Sequence, residues 1–428
     1  MKVYGLSGSQ WLQVVAAYSG WLMDGYISIS YLFVAETISK ILFPATYVGF
    51  IATLGGFVIG AVARFAGSLY LGDVLGDRIG RRKLLIVSVV GFSVFSASIG
   101  LLPAYSSAGL IVPVALYALM FITGMFAGAE YGGGTALSME SIPPERRGFV
   151  GSFVQSGFGT GYFIVALVFA FVSTHFGMGG VGWRIMFYLT LIPGAIILLL
   201  RLGATETPVF SEMTQKGAVD KMPLFSLLRE SWRPVLIGLL ITNALIYINT
   251  STFGFWPVYM QSFGRVSGVD AGLYIALINF VSLLGVWSGG MMSGVIGGRK
   301  RPMLGYAILF AVLVAPFTYL SLSRVPMVFV TAMSIIAFTE AMIFSTLPAF
   351  LSESYSKRYR VTATGFVYNG GALAGSWALL IITANTNPSG SNLGMIWILN
   401  MLAASLVLIV GIALARETWV SGKDKITS

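Results

Sequence analysis

Four ionisable residues are predicted to lie at bilayer depth within the long hydrophobic stretches of this chain, where a charged side chain is costly to keep. They are Asp24, Arg64, Glu130 and Glu340. A charge at the centre of a bilayer costs roughly 2.5–3.5 kcal/mol on insertion scales, and such residues mark ion or substrate pathways. We therefore expect them to handle protons, counter-charges or a charged solute.

Asp24 lies about 13 residues into the first hydrophobic stretch, which is close to mid-membrane at a rise of about 1.5 Å per residue. A carboxyl removed from water can exchange a proton near neutral pH, so we expect Asp24 to bind a proton. The alternative is a permanent pair with a neighbour that serves only helix packing.

Arg64 lies in the later part of the second stretch and cannot lose its charge. It must therefore find a carboxylate, which is either Glu130, Asp24 or the carboxylate of an anionic substrate. A structural ion pair and a substrate site are both open, because buried pairs are not diagnostic of function.

Glu130 and Glu340 occupy corresponding positions in the fourth and tenth stretches, and we place both in the cytoplasmic halves. One of them can exchange a proton while the other is paired, and the sequence does not distinguish the two. For Glu340 the alternative is a carboxyl satisfied by the backbone or by the hydroxyls of Thr339 and Ser345.

Neutral polar and aromatic residues inside the stretches are expected to form the surface that selects a substrate. Any single one is more often an interhelical hydrogen bond or a lipid-belt aromatic than a ligand contact. The candidates are Tyr26, Gln155, Asn243, Asn249, Trp256, Asn279, Tyr368 and Asn369.

The composition requires lipid as the solvent for most of the chain. Mean hydropathy is +0.85 and only 10% of residues are charged, against about 25% in soluble domains. A spanning helix needs roughly 20 mostly apolar residues, and we count about twelve such stretches. They lie near 12–38, 46–71, 84–103, 110–138, 149–174, 181–202, 234–257, 270–296, 302–322, 326–350, 361–384 and 393–415. The sequence therefore predicts an all-α integral membrane protein.

The net charge of +10 comes from Lys and Arg in short loops, which does not form a nucleic-acid surface. Nearly all of them fall in alternate loops and at the termini, so the positive-inside rule predicts both termini on the cytoplasmic side of the plasma membrane. The chain has no cysteine and a single histidine, His175, so we expect no metal site and no cofactor.

Two halves echo one another around a polar connection that follows the sixth stretch. Gly80-Arg81-Arg82-Lys83 has a counterpart in Gly298-Arg299-Lys300-Arg301, and Glu130 and Glu140 have counterparts in Glu340 and Glu353. Duplication of a six-helix unit explains both echoes. The expected domains are two six-helix bundles, a central linker and a tail, at 1–202, 234–415, 203–233 and 416–428 respectively.

The loop after the second stretch resembles the signature of the major facilitator superfamily, Gly-x-x-x-Asp-Arg-x-Gly-Arg-Arg. Asp77, Arg78, Gly80, Arg81 and Arg82 match it, and Asp73 replaces the first glycine. The resemblance implies twelve transmembrane helices in two pseudo-symmetric six-helix bundles. It also implies a secondary transporter that works by alternating access.

Further stretches resemble the metabolite:proton and sialate- or aromatic-acid:proton symporter branch of that superfamily. They are 21–26, 128–133, 144–149, 151–157 and 206–208. Two positions depart from the branch: Ile27 replaces a second acid, and Met120 stands where many proton-coupled members carry an arginine. An arginine at that position cannot take part in coupling here.

This resemblance and Arg64 together predict proton-coupled symport of a small organic anion, such as a monocarboxylate, a sugar acid or an aromatic acid, by a monomer in the lipid bilayer. The alternatives are a symporter of a sugar or other neutral solute and a proton-driven exporter of hydrophobic compounds. The expected cytoplasmic gate consists of Asp77, Arg78, Arg81, Glu140 and Arg147.

Other functional classes lack their sequence features. We find no catalytic constellation for a membrane enzyme and no charge ring or filter repeat for a channel. A sensor with a transporter fold stays an alternative, since fold alone does not fix function.

Overall fold

The computed structural model of the chain is a bundle of long α-helices. It describes residues 5–75, 81–140, 142–202, 223–264, 266–356 and 359–419, with all their side chains except those of 72–75, 81–82, 129–138, 140, 201–202 and 223. No β-strand forms within these residues. Ten helical stretches among them are long and apolar enough to cross a membrane. The prediction of an all-α membrane protein is therefore confirmed, whereas the count of twelve spans stays a prediction.

The helices are numbered here in chain order. They are α1 (Gly8–Leu42), α2 (Tyr47–Gly67), α3 (Arg81–Ser98), α4 (Ile111–Glu140), α5 (Pro144–Phe176), α6 (Trp183–Tyr188), α7 (Leu191–Leu202), α8 (Pro223–Asn249), α9 (Gly268–Ile296), α10 (Lys300–Leu320), α11 (Pro326–Ser354), α12 (Arg360–Gly375), α13 (Ala378–Asn385) and α14 (Leu393–Leu414). Wider π-helical turns extend α2 through Ser68–Leu75 and continue α8 at Thr250–Gly254 and Tyr259–Phe263.

Each predicted stretch coincides with one helix or with a broken pair of helices. The first helix begins at Gly8 because Ser7 and Gln10 form a capping box, in which each side chain accepts the other's backbone N–H. The sixth stretch is divided between α6 and α7, since Pro193 has no N–H to donate to the carbonyl of Leu189. The eleventh stretch is divided between α12 and α13, a break that the hydropathy pattern does not predict.

Glycines hold pairs of helices in the first half at close distance. A Cβ added to Gly161 of α5 would overlap the carbonyl oxygen of Leu22 in α1. Likewise, a Cβ on Gly128 of α4 would overlap the carbonyl oxygen of Arg64 in α2. Small residues are the main means by which helices approach closely in a bilayer, where no hydrophobic force drives them together. These contacts fix α1 against α5 and α2 against α4.

Several helix contacts connect the halves, and two of them are related by the repeat. Along α5 and α9, Gly159 lies against Leu283 and Gly272 lies against Ala166. On the opposite side, α12 packs on α2 and α4. The contact of α5 with α9 and the contact of α2 with α12 are equivalent positions of the repeat. Exchanging the two halves converts one contact into the other. Between them lie the central cavities described below.

We expect Gly161→Ala to lower the free energy of unfolding by about 1–3 kcal/mol, because the added methyl group overpacks a backbone contact. Gly305→Ala in α10 is the matched control, since an added Cβ there meets no atom within 4 Å. Thermal unfolding of the purified proteins in detergent measures both. Equal unfolding midpoints for the two variants would contradict the close packing of α1 on α5.

Candidate functional site

A cavity of about 130 Å³ lies where the two halves meet. Asp24 and Arg64 contribute to its wall from the first half, and Asn249 and Tyr368 from the second. The remaining lining side chains are mostly apolar. A largely apolar cavity with a few convergent polar groups is the usual form of a small-molecule site.

Asp24 and Arg64 form a bidentate ion pair in this wall. Arg64 Nη1 donates to Asp24 Oδ1 at 2.7 Å, and Nη2 donates to Oδ2 at 2.8 Å. The hydroxyl of Ser28 donates to Oδ1 at 3.2 Å. The Asp24 side chain is 1% exposed and that of Arg64 is 13% exposed. Two parallel charge-assisted bonds make this one of the stronger pairings available in proteins. The pair is neutral as a whole, and its arginine edge reaches the cavity.

Arg64 also connects the two halves. Its Nε donates to Oδ1 of Asn369 at 3.0 Å, and Asn369 Nδ2 donates to the carbonyl oxygen of Gly365 at 2.9 Å, which fixes the orientation of the amide. The guanidinium carbon lies 5.5 Å from the ring centre of Trp21, whose ring in turn lies 5.4 Å from that of Tyr368. Helices α1, α2 and α12 therefore meet at one side chain.

A second cavity of about 70 Å³ lies between α5 and α9 and shares Phe158, Asn249 and Tyr368 with the first. Gln155 and Asn279 line it, and each has a buried side-chain oxygen without a hydrogen-bond donor among the described residues. Asn279 Nδ2 donates to the carbonyl of Ile275 at 3.0 Å, so the unmatched atom is the oxygen. The second cavity therefore offers acceptors to a ligand that carries N–H or O–H groups.

Glu340 is fully buried and accepts two hydrogen bonds from α8 and its extension. Asn249 Nδ2 donates to Oε1 at 2.8 Å, and Thr252 Oγ1 donates to Oε2 at 2.7 Å. No basic side chain lies within ion-pair distance of Glu340 in the described part of the chain. Because Asn249 lines both cavities, it connects this carboxyl to the space between the halves.

Glu340 lies at the middle of the 29-residue α11, 14 residues from either end, and its partners are not those of the alternative named above. The hydroxyls of Thr339 and Ser345 donate to carbonyl oxygens of their own helix instead of to the carboxyl. The side chain of Glu130, its counterpart in the first half, lies outside the described residues.

Four of the predicted substrate residues, Tyr26, Asn243, Trp256 and Asn369, do not line either cavity. Tyr26 is buried in the packing of α1, and Asn243 is half-buried on α8. Trp256 is fully buried, with its ring 4.7 Å from that of Phe253. The residues that do line a cavity are Gln155, Asn249, Asn279 and Tyr368, whereas Asn369 reaches the site through Arg64.

An ionic cluster joins the halves at one end of the bundle. Arg299, fully buried, donates to Glu353 from Nη2 at 3.1 Å and from Nε at 3.2 Å. The same Nη2 donates to the carbonyl oxygen of Pro144 in the first half at 2.7 Å. Arg147 approaches Glu353 at 3.8 Å. The contacts of Arg299 with Pro144 and of Glu353 with Arg147 cross from the second half to the first and join the halves at this end.

The predicted gate overlaps this cluster only at Arg147, which also donates from Nε to the carbonyls of Met139 and Ile142. Asp77 and Arg78 lie outside the described residues, as do the side chains of Arg81 and Glu140. The sequence reasoning did not include Arg299 and Glu353 in the gate. The signal for them was the repeat itself, because Arg299 follows Gly298 as Arg81 follows Gly80.

The described start of the predicted tail packs onto the same cluster. Glu417 accepts the backbone N–H groups of Arg299 and Lys300 at 2.6 and 3.0 Å and so caps α10. Thr418 donates to Glu353 at 3.0 Å, and the ring of Trp419 lies 4.6 Å from the guanidinium of Arg299. Residues 417–419 therefore pack against the ionic cluster of Arg299 and Glu353.

The architecture and the sequence both have counterparts among known proteins. A solved structure of the xylose transporter XylE from E. coli superimposes with a TM-score of 0.76 at 17% identity, covering 97% of this chain and 100% of that one. A crystal structure of a D-xylose-proton symporter gives a TM-score of 0.74 at 18% identity, covering 93% of this chain and 97% of that one.

Curated relatives share more of the sequence. The proline/betaine transporter of Escherichia coli (strain K12) is 30% identical, over 95% of this chain and 83% of that protein. The ectoine/proline transporter ProP of Corynebacterium glutamicum is 32% identical, over 74% of this chain and 66% of that protein. The family profile of the Major Facilitator Superfamily matches residues 12–379. This chain therefore belongs to the Major Facilitator Superfamily, a family of multi-pass membrane transporters.

Proposed function

We propose that this protein is a proton-coupled symporter of a small solute with a carboxylate group, and that it works by alternating access between its two halves. The observation that carries the proposal is the bidentate Asp24–Arg64 pair in the wall of the cavity between the halves. Two similar proteins support the proposal. One is a D-xylose-proton symporter that shares the fold, and the other is a proline/betaine transporter that shares the sequence.

Coupling follows from competition for one guanidinium. Arg64 stays charged, so it always requires an anionic partner at this depth. While Asp24 is ionised it occupies both Nη atoms, and a substrate carboxylate is excluded. A proton on Asp24 removes the ion pair and frees the guanidinium for the substrate, which can take the same bidentate geometry. Proton and carboxylate therefore bind together and leave together, which is symport.

A zwitterion fits the site better than a simple anion. Phe158 and Tyr368 present aromatic rings to both cavities, and aromatic faces attract ammonium groups. The unmatched oxygens of Gln155 and Asn279 accept N–H groups or face a positive charge. A solute with a carboxylate at Arg64 and a cationic nitrogen towards the second cavity satisfies both. The relatives that are proline, betaine and ectoine transporters support this class of solute.

Glu340 is the proposed second proton site. Its carboxyl is buried among neutral donors, without a basic partner among the described residues, and an ionised carboxylate is costly there. The donors Asn249 and Thr252 belong to the extended α8, so a change in that helix changes the cost of the charge. The cluster of Arg299, Glu353 and Pro144 is the proposed gate, which dissolves when its end of the bundle opens.

Asp24→Asn is expected to abolish accumulation driven by a pH gradient while solute exchange continues, because the asparagine cannot release a proton. Uptake and counterflow of labelled proline or betaine into proteoliposomes measure the two activities. Asp270→Asn is the control, since Asp270 is exposed at the start of α9, where its carboxylate accepts a hydrogen bond from Ser267. Normal pH-driven accumulation by Asp24→Asn would show that another group carries the proton.

Arg64→Gln is expected to weaken the apparent affinity for proline and betaine about 10- to 100-fold, because a hydrogen bond to a charged group contributes roughly 1.5–3 kcal/mol. Competition of labelled uptake by proline, betaine, lactate and xylose measures affinity and solute class together. The exposed Arg324 provides the control variant Arg324→Gln. Unchanged affinity for every carboxylate rejects the role of Arg64, and proton-driven accumulation of xylose alone favours a sugar symporter.

Glu340→Gln keeps the shape of the side chain and removes its proton exchange. We expect the number of protons moved per solute to fall by one while exchange persists, as measured by the gradient at which net flux reverses. Glu36→Gln is the control, because Glu36 is partly exposed and pairs with Lys40. A proton-to-solute ratio that does not change assigns Glu340 to structure only.

A further inference from the structure

The helical stretch that begins with α8 is too long for one membrane crossing. The helical stretch Leu224–Phe263, which includes π-helical turns, has 40 residues, about twice the roughly 20 that cross a bilayer core of about 30 Å. The helix breaks at Ser231, which has φ −133° and ψ 30°, and Pro234 follows in the next turn. Residues 224–233, here called the entry segment, therefore lie at the surface of the bilayer core.

The inner face of the entry segment is fixed to the protein. Leu227 is fully buried, and Glu230 accepts a hydrogen bond from the hydroxyl of Tyr359 at 3.0 Å. Just beyond the segment, the carbonyl of Pro234 accepts a bond from the hydroxyl of Tyr355 at 3.1 Å. Both tyrosines lie between α11 and α12, next to the end of α11 that carries Glu353. The segment is thus anchored at the same end of the bundle as the ionic cluster.

The outer face is apolar and aromatic, with arginines on it. Phe225, Leu228 and Trp232 are 67%, 39% and 51% exposed. Phe225 and Leu228, three residues apart, form an exposed apolar stripe on the helix before the break at Ser231, and Arg229 is exposed beside them. After the break, Arg233 stacks on Trp232 with 5.2 Å between guanidinium and ring. Neither arginine has a carboxylate partner among the described residues.

We propose that the entry segment is a binding site for the headgroups of anionic phospholipids. Aromatic side chains favour the boundary between lipid and water, where Phe225 and Trp232 enter the acyl region. The planar guanidinium of arginine matches a phosphate group, and unpaired positive charge at this level attracts anionic lipid. Lipid is favoured over a protein partner because the exposed apolar stripe continues past the break into the lipid-facing side of the span, at Leu236.

Lipid bound at this face is expected to restrain the proposed gate. Glu230 in the entry segment bonds to Tyr359, and Pro234 just after the segment bonds to Tyr355, which directly follows the end of α11 where Glu353 binds Arg299. Headgroups that hold the entry segment on the membrane surface therefore hold this end of α11 and α12 as well. The inference does not depend on which solute is transported.

The chain contains no cysteine, so single cysteines can be labelled in an otherwise native protein. Phe225→Cys carrying an environment-sensitive fluorophore is reconstituted into phosphatidylcholine vesicles with and without phosphatidylglycerol. We expect quenching by lipids with a spin label near the headgroup, and stronger quenching by labelled phosphatidylglycerol than by labelled phosphatidylcholine. Leu284→Cys, exposed near the middle of α9, is the control that responds to deep spin labels with no lipid preference.

Arg229→Gln with Arg233→Gln, added to Phe225→Cys, is expected to lower the preference for phosphatidylglycerol about five-fold for each charge removed. Arg324→Gln is the matched control and leaves the preference unchanged. A fluorophore that remains in water in both vesicles overturns the proposal, as does a preference unaffected by the double variant. Burial of the fluorophore in lipid-free detergent that increases with protein concentration assigns the face to a second copy and also overturns it.

Discussion

The centre of this protein depends on keeping a permanent positive charge at membrane depth. Arg64 cannot deprotonate, so its surroundings must supply an anion in bidentate geometry, which Asp24 does with bonds of 2.7 and 2.8 Å. Removal of one partner of a buried ion pair typically costs about 3–5 kcal/mol, because the other charge is left uncompensated. Because of that cost, the Arg64 guanidinium selects strongly for an anionic partner. Any state in which Asp24 is absent from it needs another anion in the same place.

Two of the arginines that join the halves, Arg64 and Arg299, are arranged reciprocally. Arg64 belongs to the first half and donates to Asn369 in the second, whereas Arg299 belongs to the second half and donates to Pro144 in the first. One contact lies beside the central cavity and the other at an end of the bundle. Each guanidinium uses its remaining donors on a carboxylate of its own half, Asp24 or Glu353. The halves are therefore joined at two depths by the same arrangement, in which an arginine binds a carboxylate of its own half and an oxygen of the other half.

Hydropathy predicted most of the fold because lipid forces every backbone polar group into regular helices. The faces of those helices were less predictable. Lipid and protein interior are both apolar, so the sequence of a spanning helix does not show which side faces a cavity. Tyr26 and Trp256 were therefore selected with Gln155 and Asn279, although only the latter two line a cavity.

The depth argument selected Asp24, Arg64 and Glu340, but their partners came from helices that are distant in sequence. Asn249 and Thr252 reach Glu340 across about 90 residues, and no local pattern encodes that approach. The departure at Met120 is clearer in three dimensions. Met120 lines the same cavity as Arg64, so the guanidinium is supplied by α2 where related symporters are expected to supply it from α4.

The acceptor that Arg299 finds in the first half is a main-chain carbonyl, that of Pro144. Every amino acid carries the same oxygen, so no exchange of a side chain at this position removes it. The genetics of this single contact is therefore asymmetric. In the second half a change of the Arg299 side chain removes the donor, whereas in the first half the acceptor is lost only if the backbone at Pro144 moves.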